Sequence, residues 1–224
     1  MFAAAACGGP LDPGAGDDPG GGTRTLVVTG SVQARNRLVN ARTNAEFDTD
    51  VSVRVTLNGQ NVSTGTVTIS TASGTVPLVA DRDNGRWSAR LPGYEEVYLL
   101  DIQAGPDEVT GVRVDGPDPF TFTAPTAGAT VDATMPISVT WSCDDTAESA
   151  AIRADELDAL AIADTGKFSL PPRSLRTDRD KPRANTLRIT RTNHLAPAGA
   201  AGGSDFAVSI TNEIDVLAAA DPTK

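Results

Sequence analysis

Hydrophobic side chains recur at every second position over much of the chain. Val51, Val53, Val55 and Leu57 alternate with Ser52, Arg54 and Thr56, the period-two pattern of a strand with one buried face. Asn58-Gly59 follows, a dipeptide that accepts positive φ and closes tight hairpins. Val67 and Ile69 alternate with threonine and serine in the next strand. Asp83-Asn84-Gly85 marks another turn, after which Trp87, Ala89 and Leu91 resume the pattern. Tyr98, Leu100 and Ile102 form a further inward row, and Val112 and Val114 close the series before Gly116-Pro117. Short strands separated by frequent turn signals predict a β-sandwich over residues 24–117.

A second set of strands follows over residues 118–219. Phe120-Thr121-Phe122-Thr123-Ala124-Pro125 reads as an extended edge strand broken by proline. Ile137, Val139, Trp141 and Cys143 then share one face, with the tryptophan filling the space between sheets and Cys143 acting as a small buried hydrophobe. Further strands are predicted at 160–162, 168–170, 187–189, 206–210 and 214–216, with loops at 171–183 and 195–204. Residues 146–160 depart from the alternation. Their alanine, glutamate and leucine favour a short helix or an irregular crossover. No period is sharp enough to make the two halves a sequence repeat.

The runs VRVTLNGQNVSTGTVTIS, NGRWSARLPGY and VYLLDI resemble bacterial immunoglobulin-like and carboxypeptidase-regulatory-like modules. FTFTAP, AGATV and PISVTWSC resemble the opening of a bacterial immunoglobulin-like domain. The resemblance implies an all-β fold of two consecutive immunoglobulin-like sandwiches, of the kind that serve as structural or binding units on secreted proteins.

The N-terminus carries a different signal. Ala4-Ala5-Ala6-Cys7 resembles the lipobox of bacterial lipoproteins, which implies lipidation of the Cys7 sulfur and a remnant of a signal over residues 1–7. A basic segment and a long apolar segment normally precede such a cysteine. Their place is upstream of Met1, or the chain has been trimmed there. Gly8 after the cysteine, where aspartate is the alternative, implies the outer membrane. Residues 8–22 hold seven glycines, three prolines and three aspartates. Such a stretch buries too little apolar surface to offset its ordering entropy, so residues 8–23 are expected to be a disordered tether. Residues 220–224 are expected to be a short tail.

Composition narrows the function. The chain has 224 residues, enough for two sandwiches, with 39% apolar and 21% charged residues, a globular balance. Its net charge of −10 argues against nucleic acid, because phosphate binding needs a basic face. No run approaches the ~20 apolar residues that span a bilayer. Cys7 and Cys143 are the two cysteines, and together they could form one disulfide.

Catalytic readings fail one by one. Asp164-Thr165-Gly166 is the tripeptide of aspartic proteases, but that chemistry needs two such aspartates sharing a proton. A turn explains a single copy better. Asp81-Arg82-Asp83-Asn84-Gly85 begins like a calcium loop but puts glycine fifth and Pro92 at the twelfth position, where the EF-hand has glycine sixth and glutamate twelfth. Asp144, Asp145 and Glu148 are read as a solvated acidic loop rather than a calcium site. His194 is the only histidine, which removes a multi-histidine zinc site, and no Gly-x-Ser-x-Gly elbow accompanies it. A thiol pair of Cys143 with His194 puts the nucleophile on a strand face, a poor position for one. Asn61-Val62-Ser63 fits a glycosylation sequon that matters little in most bacteria.

Residues 171–183 stand out instead. Arg173, Arg176, Arg179, Lys181 and Arg183 face only Asp178 and Asp180, a basic loop suited to an acidic protein, glycan or lipid headgroup. The expectation is a non-enzymatic surface lipoprotein with no metal or cofactor, held to the cell envelope by its lipid and acting as a spacer or adhesion module. The alternative is a ligand-binding accessory protein that uses loops of the second sandwich for a glycan, calcium or a protein partner.

Overall fold

The structure, a computed structural model, describes residues 20–81 and 84–223. It is all-β, and its described residues include no α-helix. The first unit holds strands β1 (Gly21–Gly22), β2 (Leu26–Asn36), β3 (Phe47–Leu57), β4 (Gln60–Asn61) and β5 (Thr66–Thr71). It continues with β6 (Gly74–Pro77), β7 (Val79–Asp81), β8 (Arg86–Pro92), β9 (Val97–Ala104) and β10 (Asp107–Asp115). The second unit holds β11 (Thr121–Ala124), β12 (Thr130–Val131), β13 (Ile137–Ser142) and β14 (Ser149–Ala154). It ends with β15 (Leu157–Ile162), β16 (Lys167–Leu170), β17 (Arg183–Leu195) and β18 (Asp205–Ala218).

The alternation read from the sequence is the alternation that is buried. Phe47, Thr49, Val51, Val53 and Val55 of β3 point inward, opposite Tyr98, Leu100 and Ile102 of β9 and Val67 and Ile69 of β5. Each such apolar side chain stabilises the fold by about 1.5–3 kcal/mol when fully buried. Asn58 and Gly59 take positive φ (51° and 77°) in the β3–β4 turn, as their sequence predicts. Trp87 is buried, and its indole N–H donates to the Val62 carbonyl at 2.9 Å.

In the first unit β2-β3-β8-β7 faces β1-β10-β9-β5-β6. In the second, β11-β13-β16 faces β15-β14-β17-β18. Both are immunoglobulin-like strand orders, with an A-B-E layer against a C-F-G layer. The two sandwiches nevertheless share a sheet. The last strand, β18, runs parallel to β2, from Asp205 opposite Thr29 to Thr211 opposite Arg35. One ten-stranded sheet therefore crosses both units in the order β15-β14-β17-β18-β2-β3-β8-β7, with β12 on β18 and β4 on β3.

Three local expectations change. Residues 146–160 form no helix: β14 and β15 pair antiparallel around a turn at Asp155-Glu156, and β14 is built onto β17. Ladder pairing with β17 overrides the helix preference of the alanines. The segment expected to be an open tether up to residue 23 enters the fold early, since Gly21 and Gly22 pair with Thr110 and Val109 of β10. At the other end Asp221 is buried and its N–H donates to the Asp178 carbonyl at 2.8 Å, so the expected tail is docked as far as that residue.

Candidate functional site

The junction between the sandwiches is built from side chains that hold backbone. Asn212, on the inward face of β18, donates to the carbonyls of Ala41 and Phe120 at 2.9 and 2.7 Å and accepts from the Ala41 N–H at 3.0 Å. Asn40 pairs with both the N–H and the carbonyl of Phe122, at 2.8 and 3.1 Å, as a neighbouring strand would. The buried hydroxyl of Tyr94 donates to the Pro117 carbonyl at 2.7 Å. Burial pushes that phenol above its ordinary titration range. These contacts clamp residues 117–122, the connection between the units, to both sandwiches.

Arg191 is the deepest charge among the described residues, and no sequence motif announces it. It is wholly buried and stacks over the Phe120 ring, 5.7 Å from its centroid. Its Nε donates to Asp164 at 2.8 Å, and its terminal nitrogens donate to the Asp118 and Asp145 carbonyls. The second Asp164 oxygen accepts the Trp141 indole N–H at 3.1 Å, and the Ala147 N–H donates to the first at 2.8 Å. The Asp164-Thr165-Gly166 tripeptide is thus a structural corner whose carboxylate is committed to Arg191, Trp141 and Ala147. A signal was present: Arg191 follows Leu187 and Ile189 at the inward parity of β17.

The remaining candidates separate. Asp145 faces Arg191 at 3.3 Å, while Glu148 accepts the His194 backbone N–H at 2.8 Å. The described residues contain no cluster able to hold a metal ion. The His194 ring lies 3.5 Å from Asp205 on the surface. Cys143, one step past β13, is half-buried against the core, and no described cysteine is a free thiol. Asp81 and Asn84 close a hairpin turn, the Asn84 amide donating to the Asp81 carboxylate at 2.6 Å. Cys7 lies outside the described residues.

Arg173, Arg176, Arg179, Lys181 and Arg183 are all exposed. Arg176 pairs with Glu156 at 3.0 Å. It also lines a hollow of about 250 Å³, shared with Arg153, Asp155, Thr186 and Arg188.

That hollow adjoins a larger one on the outer face of the shared sheet. A trough of about 510 Å³ runs over β15, β14, β17, β18 and β2. Its floor is small, with Ala151, Ala159, Thr190 and Thr211, and its walls include Arg153, Arg188 and Arg35. Arg153 and Arg188 are directly opposed on β14 and β17, an arrangement that destabilises a sheet unless something neutralises it. Glu213, opposite Arg188 on β18, neutralises one of them through a two-pronged pair. Among the described residues neither Arg153 nor Arg35 has a carboxylate within pairing distance.

Fold and junction together define a class: a tandem of immunoglobulin-like sandwiches fused edge to edge. No protein-family model matches the sequence, and no curated protein matches it either. Among solved structures, the chain is similar to the central fibronectin-III array of RIM-binding protein, with a TM-score of 0.27 and 10% identity, over 84% of this chain and 69% of that one. It is also similar to the BSP domain of a biofilm associated protein (0.26, 14%, over 84% of this chain and 29% of that one). A two-domain fibronectin type-III segment of chicken tenascin gives 0.23 and 12%, over 82% and 97%. Superposition is too loose at these scores to add to the strand order itself.

Proposed function

We propose that the chain is a non-enzymatic surface lipoprotein whose two sandwiches act as one stiff spacer or adhesion module. The observation that carries this reading is the parallel β18–β2 ladder, which converts two beads on a string into a single continuous sheet. Freely jointed domains usually meet through small, polar interfaces and move relative to each other. Here a strand ladder, Asn40, Asn212 and Tyr94 span the joint. A rigid body of this kind suits presentation of a binding face at a set distance from a surface. Ala4-Ala5-Ala6-Cys7-Gly8 supplies the anchor in this reading, with diacylglycerol on Cys7 and the outer membrane or cell surface as its location.

Intact mass and detergent-phase partition test the anchor, on protein expressed with its complete upstream leader and compared with Cys7→Ser. The expected result is a diacylglycerol-sized mass gain and detergent partition, both lost in the variant. An unlipidated, water-soluble product would remove the lipoprotein reading. Cys143 is not a free thiol and Cys7 is the chain's other cysteine, so lipid and disulfide compete for the Cys7 sulfur. A Cys7–Cys143 disulfide in the non-reduced mature protein would also overturn the anchor.

A further inference from the structure

We infer that the trough across β15, β14, β17, β18 and β2 is a binding site for an acidic polysaccharide, carboxylate groups of which are held by Arg153 and Arg35. This rests on the reading of the chain as an adhesion module and names its ligand class.

Charge is the first ground. On a chain of net charge −10, two exposed arginines without a carboxylate partner among the described residues mark the two ends of one hollow. Guanidinium groups take carboxylates through paired N–H donors, a geometry that a lone lysine cannot reproduce. Arg153 also stands opposite Arg188, whose charge Glu213 meets, so Arg153 is the member of that pair with no carboxylate partner among the described residues.

Shape is the second. The trough crosses five adjacent strands, about 19 Å at the usual strand spacing, and Arg153 and Arg35 are three strands apart, about 14 Å. The ligand must therefore be extended and multiply charged. Thr190 and Thr211 lie on the floor with their hydroxyls 2.9 Å apart, offering lone pairs and a proton to ligand hydroxyls.

Backbone use decides between a glycan and an acidic peptide. Peptides gain affinity on sheets through main-chain ladders at a free edge. The ligand here would lie across the strands, and β14, β17 and β18 beneath it are paired on both sides. Between Arg153 and Arg35 side chains alone are on offer, the trough's one free backbone edge being the outer side of β15, which suits a stiff, hydroxyl-bearing polyanion. Eight of the aromatic residues are buried, so neutral sugars find no described stacking platform on this face.

The test is calorimetric titration of the soluble protein with hexagalacturonate at low and physiological salt. Hexaglutamate and inorganic sulfate serve as comparators. We expect saturable binding of hexagalacturonate that salt weakens, at least tenfold tighter than either comparator. Arg35→Gln with Arg153→Gln should lower the affinity at least tenfold without lowering the melting temperature, as both side chains are exposed. Arg173→Gln with Arg179→Gln, in the basic loop, should leave it unchanged. No saturable binding, or binding indifferent to the Arg35 and Arg153 changes, overturns the site. Equal or tighter binding of hexaglutamate reassigns the trough to an acidic peptide. Because the titration uses unanchored protein, its failure is separate from failure of the lipidation test.

Discussion

Removing the Asp164 carboxylate should be among the most damaging single changes available in the second sandwich. Asp164→Ala leaves the Arg191 guanidinium in an interior that excludes water, since both side chains are essentially inaccessible. Breaking a buried ion pair from one side costs about 3–5 kcal/mol. Two features place this site toward the lower part of that range. Arg191 keeps its bonds to the Asp118 and Asp145 carbonyls, and the Asp145 carboxylate remains 3.3 Å away. Against that, the Trp141 indole and the Ala147 N–H lose their acceptor, and each unsatisfied buried donor costs about 1–3 kcal/mol. Taking the low end of each, about 3 kcal/mol for the pair and about 1 kcal/mol for each of the two stranded donors, the loss is about 5 kcal/mol, or about 10–20 °C of melting temperature for a chain of this size. Urea denaturation at constant m-value reads it directly. The decisive comparison is Asp164→Leu combined with Arg191→Met. Removing the charge and its partner together should cost clearly less than the two single changes added, because no uncompensated ion remains. Strict additivity, or a loss below about 1 kcal/mol for Asp164→Ala, would refute the account of Arg191 as a paired buried cation.

Two further expectations concern the joint and its pH response. At Gly30 a Cβ would lie 2.7 Å from the Ser52 carbonyl oxygen and 2.8 Å from the Phe206 ring, where β18 meets β2. Gly30→Val should therefore lower stability by more than about 2 kcal/mol and split one unfolding transition into two; a single unshifted transition in calorimetry argues that the ladder does not couple the sandwiches. Burial raises the pKa of Glu96 and of Asp118, with neighbouring acids adding to it. The native state then holds protons that the unfolded chain has released, so these groups make stability fall as pH rises through the window between unfolded and folded values. The melting temperature should rise on mild acidification, as pH falls through that window. Glu96→Gln with Asp118→Asn should flatten that rise, and an unchanged slope would assign it to general charge repulsion instead.

Much of the first sandwich was legible because its strands obey one simple rule. Apolar residues recur at every second position over 51–57 of β3, 67–69 of β5 and 98–104 of β9, and a register error would expose the whole row. The turns carry their own chemistry in Asn58-Gly59 and around Gly85. The β14–β15 hairpin was not legible, because SAAIRADELDALAI offers helix-forming residues and little contrast between faces. Its strand character comes from the partner it pairs with. The candidate site divides in the same way. Arg173, Arg176, Arg179, Lys181 and Arg183 were visible as a run in sequence, and the structure leaves them spread over an exposed loop. Arg35, Arg153 and Arg188 were invisible as a group, since they come from three strands far apart in the chain.

The sequence by itself determined the class of fold, since period-two burial and turn residues act over distances of a few positions. It also held the parity clues to Arg191 and Asn212, each placed where an apolar residue belongs on an inward face. Only the tertiary structure decided that β18 lies against β2, fusing the sandwiches and laying arginines from distant strands along one trough. Ladder hydrogen bonds join any two backbones alike, so the choice of neighbour rests on how both faces pack once the chain has closed.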